Sequence, residues 1–134
     1  MNREFTIFNS TWSIKFEDKV YLEGRYTLGS CDSSTRTISI STKLEDGSKV
    51  PKKEIELTTI HELMHAILAT GQYMEETDNE PLVEWLARCI HSLLEQKIIK
   101  WKKKYLKILA CIKNITYLCS DDNDDAVIWF PCGK

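Results

Sequence analysis

His61-Glu62-Leu63-Met64-His65 places two imidazoles four residues apart, with a carboxylate beside the first. On a helix, residues four apart face the same way with Cβ atoms about 5–6 Å from each other. Two ring nitrogens so placed can converge on one tetrahedral zinc, about 2.0–2.1 Å from each. Glu62 then reaches the open side of the metal without ligating it, and can take a proton from a water that the metal has acidified. H-E-x-x-H is the pattern of zinc-dependent peptide hydrolysis for this reason. Only three histidines occur in the chain, and two of them stand here. Ala66-Ile67-Leu68 follows directly, so the helix that carries the motif is expected to be packed and not solvated all round.

A hydrolytic zinc needs a third protein donor and one open position. Asn79-Glu80-Pro81-Leu82-Val83-Glu84 offers two carboxylates four apart, hence on one helical face. Glu80 comes fifteen residues after His65, which leaves room for a helix end, a reversal and a second helix start. Spacing alone leaves Glu80 and Glu84 both open as the donor. A group to stabilise developing negative charge is also required. Tyr26, Tyr73, Arg88 and His91 are candidates that the sequence does not rank. His91, eleven residues beyond Glu80, lies too far along a helix axis for the metal and is expected to pack beside the core.

The elements that must position these groups follow from apolar spacing. Ile60, Met64, Ile67 and Leu68, flanked by Leu57 and Leu63, predict a helix over residues 55–70 with Gly71 as its stop. A short acidic loop over residues 72–78 leads to a second helix, with Asp78 or Asn79 as N-cap and Pro81 in the first turn. Leu82, Leu86, Ile90, Leu93 and Leu94 form its apolar stripe, which can run on through Ile98, Trp101, Tyr105, Leu109 and Ile112. Before residue 50 the pattern is that of strands: Phe5 and Ile7, then Trp12, Ile14 and Phe16, with turns near Asn9 or Glu17-Asp18. A short helix at the start is the alternative. Thr37-Ile38-Ser39-Ile40-Ser41 alternates as a strand with one buried face, closed by Asp46-Gly47-Ser48.

At 134 residues the chain is read as one domain, residues 1–134. A net charge of −2 marks the whole molecule for neither nucleic acid nor a membrane surface. No run of about 18 apolar residues appears, so no membrane span is expected. The first residues lack a signal-peptide stretch, and a cytoplasmic protein is expected. Five cysteines form no C-x-x-C pair and are read as reduced thiols acting as small hydrophobes. Residues 97–113 hold seven lysines and no acid, the pattern of an amphipathic helix with a solvated basic face. The acidic run over residues 121–125 lacks the ligand spacing of an EF-hand.

The motif and the Asn79–Glu84 stretch together resemble the gluzincin metallopeptidases, in which an N-E-x-x-x-acid stretch supplies the third ligand and then an acid that orients a histidine. That resemblance implies Glu80 as third zinc ligand and Glu84 as the acceptor behind a ligating histidine. Pro81 departs from the pattern and keeps Glu84 as the rival for the ligand position. The Gly24-Arg25-Tyr26 stretch, the Cys31-Asp32 corner, Ile38-Ser39-Ile40 and Thr58 to Leu68 also resemble the minimal zincins of phages and prophages. These are distantly similar to the ImmA/IrrE-type peptidases. The likeness spans about residues 21–94 and leaves residues 95–134 as an extension of no assigned role. It implies an α+β zincin-like fold, a small antiparallel sheet packed on two helices. It further implies a peptide or protein substrate in the cytoplasm of a bacterium or phage-infected cell. In such folds an edge strand lies beside the cleft, and Thr37–Ser41 is the expected edge. Two other readings stand beside this hydrolase: a zinc-stabilised binding module without catalysis, and an interaction protein that works through its basic helix.

Overall fold

Phe5 and Ile7 on one strand and Trp12 and Ile14 on the next point to the same face, because side chains alternate along a strand. These strands are β1 (Asn2–Ile7) and β2 (Ser10–Glu17), an antiparallel hairpin with Phe5 opposite Trp12. A computed structural model of the chain describes residues 2–97. Next come β3 (Val20–Leu22) and β4 (Arg25–Thr27), a tight hairpin turned by Glu23 and Gly24, with φ of 50° and 77°. Positive φ at both turn residues matches the right-handed twist of the flanking strands. The chain continues through β5 (Gly29–Asp32) and β6 (Thr37–Ser41).

The main sheet has the order β1-β2-β6-β5. Its outer pairs are antiparallel, but β2 and β6 run parallel, so the sheet is mixed and not antiparallel as expected from sequence. Thr37–Ser41 is likewise not an edge: β6 lies between β2 and β5, and among the described residues the edge on this side is β5. Alternation reveals which face of a strand is buried but not which strands flank it, and both differences come from that gap.

Among the described residues, three helices join the strands in an α+β architecture: α1 (Lys52–Thr70), the one-turn α2 (Met74–Thr77) and α3 (Glu80–Glu95). Pro51 caps α1, which therefore begins three residues before the predicted start at Ile55. Ile60, Leu63 and Ala66 of α1, with Ala87 of α3, form one buried cluster with Phe5, Ile7, Trp12, Ile14, Ile38 and Ile40 of the sheet. Ile14, Ile38 and Ile40 are wholly buried, each a site where truncation to Ala costs about 2–5 kcal/mol. Trp12 donates from Nε1 to Thr70 Oγ1 at 3.0 Å and ties β2 to the end of α1. Buried Ser41 accepts from the Val20 N–H at 2.8 Å and donates to Thr27 O at 2.7 Å, which fastens the small hairpin to β6.

At the start of α3, the Asn79 side chain accepts from the Leu82 N–H at 3.2 Å, and Pro81 sits within the first turn. The helix stops at Glu95, and Lys97 turns the chain with φ of 53°, so α3 does not run unbroken into the lysine-rich stretch. The remainder of that stretch, the acidic run over residues 121–125, and Cys111, Cys119 and Cys132 lie outside the described residues. Among the described residues, Cys31 and Cys89 form no disulfide. No described helix is long and apolar enough to cross a membrane.

Candidate metal centre

The i,i+4 spacing on α1 brings the two histidine Nε2 atoms to 3.1 Å of one another. Glu80, the first residue of α3, meets both: Oε2 lies 3.2 Å from His61 Nε2, and Oε1 lies 3.3 Å from His65 Nε2. Ligands about 2.0–2.1 Å from a tetrahedral ion sit about 3.3–3.4 Å from each other, so these separations suit one small cation.

The far side of each ring supports the same conclusion. His61 Nδ1 donates to Glu84 Oε2 at 3.0 Å, and Glu84 Oε1 accepts from Arg88 Nε at 2.6 Å. His65 Nδ1 lies 3.0 Å from Thr77 Oγ1 on α2. Neutral His61, with its Nδ1 proton given outward to Glu84, presents a bare Nε2 lone pair inward, beside the Glu80 carboxylate. A cation held among these atoms would relieve their mutual repulsion. Together, His61, His65 and Glu80 fit zinc by donor type, number and spacing.

Glu62 turns from the same helix toward β5 and is 7% exposed. Burial raises its carboxyl to about 7, with Glu80 pushing the same way and His61 opposing. A carboxyl near neutrality is matched to proton transfer. Room for it exists because residue 29 is glycine: a Cβ there would stand 2.8 Å from Glu62 Oε1 and 2.7 Å from Thr58 Cγ2. Burial lowers the His65 pKa from the usual imidazole range, and neighbouring His61 adds to this while Glu80 opposes it. Partial burial pulls the Glu84 carboxyl upward, yet donation from Arg88 and His61 holds it below the ordinary range.

The centre opens into a cleft of about 620 Å³, bounded by β5, α1, α2 and the start of α3. Cys31 lines it, but burial pushes its thiol to about 12, with Glu62 and Asp32 adding to the effect. A thiol so protonated is no nucleophile at neutral pH.

Of the four candidates for charge stabilisation, three are engaged elsewhere. Tyr26 donates its hydroxyl to Lys43 O at 2.9 Å, and Arg88 is bound to Glu84. His91 is buried between α1 and α3, with Nε2 3.3 Å from Glu56 Oε2 and Nδ1 3.6 Å from Glu95 Oε2. Tyr73 is half-exposed, with its ring against Gly71. Sequence reasoning missed Thr77 and Gly29 in the site. For Arg88 the signal was present: Glu84 and Arg88 stand at the i,i+4 spacing of a helix ion pair. Comparison with protein-family models, with curated proteins and with solved structures finds no match for this chain.

Proposed function

We propose that the protein is a zinc metallopeptidase of the gluzincin type, with His61, His65 and Glu80 as ligands and Glu62 as general base. One observation carries the reading. Three donors of the right kind converge at ligand spacing, and a buried carboxyl that is not a ligand stands beside them at the wall of a cleft. A purely structural zinc has no use for that last group. When bound, zinc supplies Lewis acidity, which eases deprotonation of water and polarises a carbonyl. Glu62 accepts the proton of the attacking water and returns it to the amine nitrogen as the peptide C–N bond breaks. Glu84, held by Arg88, keeps His61 turned Nε2-inward. The cleft is large enough for a few residues of peptide, and β5 beside Glu62, the sheet edge among the described residues, can pair with an extended backbone. A zincin-like fold and a cytoplasmic site of action belong to this same proposal.

The test is hydrolysis of a peptide mixture by zinc-loaded protein, followed by mass spectrometry. Discrete cleavage products are expected that disappear with a chelator and fall by about 10²–10⁴-fold in Glu62→Gln, the usual effect of removing a general base. Zinc uptake with no cleavage of any peptide would favour the non-catalytic binding module instead. Equal cleavage by Glu62→Gln would remove Glu62 from its role.

A further inference from the structure

Thr77 belongs to an element that nothing in the apolar pattern announces. Gly71 ends α1, and the Tyr73 ring lies so close over it that a Cβ at residue 71 would come within 2.8 Å of the ring. Gln72, between them, has φ of 64°. This tight reversal drops α2 back against α1 and buries Thr77, which is 8% exposed, beside the second histidine of the motif. Its hydroxyl faces two groups of one residue: His65 Nδ1 at 3.0 Å and His65 O at 3.5 Å. A hydroxyl that donates to the carbonyl has its lone pairs left for the ring. In that arrangement the ring donates from Nδ1–H, which would leave the imidazole proton on the side away from Glu80.

We propose that Thr77 is a positioning residue that selects the Nδ1–H tautomer of His65 and so readies its Nε2 to bind metal. The inference rests on the metal reading above but concerns the protein before metal arrives. Each histidine is thereby oriented by a different element and a different chemistry. His61 is held by the carboxylate of Glu84 on α3, and His65 by Thr77 on α2, whose buried hydroxyl acts beside its own backbone. A neutral acceptor fixes the ring without adding a second negative charge beside Glu80. Threonine suits the place because its hydroxyl can donate and accept at once, whereas the isosteric valine can do neither.

The experiment uses the full chain and has two arms. In the first, ¹⁵N NMR of the histidine rings in metal-free protein, at a pH above their titration, reads the tautomer directly. Wild type is expected to show His65 with the proton on Nδ1, while Thr77→Val shifts the population toward Nε2–H. In the second, zinc is titrated against a competing chelator. Thr77→Val is expected to bind about 10–100-fold more weakly, the usual loss for a group that orients a ligand, and Thr77→Ser to stay close to wild type. A threonine that merely filled space would leave the tautomer unchanged in Thr77→Val. An Nε2–H tautomer in the wild type overturns the proposal, and that measurement needs no variant to fold. So does equal zinc affinity of Thr77→Val and wild type. Absence of zinc binding by the wild type would instead defeat the metal reading, and the ring spectra would still decide what Thr77 does.

Discussion

Glu62 is buried because β5 passes directly over it, and β5 can do so only because Gly29 has no side chain. Gly29→Ala is therefore expected to displace the Glu62 carboxyl while leaving His61, His65 and Glu80 in place. Zinc content should stay at the wild-type level and peptide hydrolysis should drop by about 10²-fold, as for misplacement of a catalytic group by roughly 1 Å. The same burial has a thermodynamic consequence in metal-free protein. The folded-state pKa of Glu62, about 7, lies above its ordinary value of 4.5, so between these values the folded chain holds a proton that the unfolded chain has released. The resulting stability is fully present below about pH 4.5 and is lost as pH rises through about 7. Its size is on the order of 3 kcal/mol. The lowered pKa of His65 acts in the opposite sense, adding stability as pH rises through the ordinary imidazole range. Denaturant melts of wild type and Glu62→Gln across pH 4–8 separate the two. The variant should lack the fall and be the more stable at pH 7.5. Parallel curves would mean that Glu62 is not desolvated. At this scale the sequence was most readable where one helix holds all the partners, as for His61, Glu62 and His65. Gly29 and Thr77 act across elements, and no local pattern marks a glycine chosen for a neighbour's side chain.

The start of α3 decides which carboxylate faces the two histidine Nε2 atoms. Asn79 caps the helix and Pro81 sits in its first turn, so Glu80 projects from the first residue toward both histidines. Glu84, one turn deeper, has one oxygen on His61 Nδ1 and the other on Arg88. Glu80→Ala should abolish tight zinc binding, and Glu84→Ala should weaken it by about 10–100-fold. A titration giving the reverse order would make Glu84 the ligand. The two long helices were legible because a 3.6-residue period, a cap and a Pro–Gly pair of boundaries act within one segment. The sheet was legible only in part. Ile38 and Ile40 announce a buried strand face, but the parallel partner of β6 and the edge position of β5 depend on contacts far along the chain. For α2, four residues are too few to show any period.

Over the molecule as a whole, residues 2–97 carry eleven basic and sixteen acidic side chains, while the full chain has a net charge of −2. The remaining residues are thus net basic, and the acidic part is the one that holds the candidate metal centre. The three donors come from α1 and α3, which pack against each other, with α1 lying on the sheet. A cation joining them would therefore tie the first residue of α3 to the middle of α1. The most direct measurement is the zinc content of the purified full chain, determined by elemental analysis together with the His61→Ala and Glu80→Ala variants. One zinc per chain in the wild type, lost in both variants, is the result predicted. A wild type that holds no zinc after exposure to it, or variants that keep the wild-type stoichiometry, would contradict it.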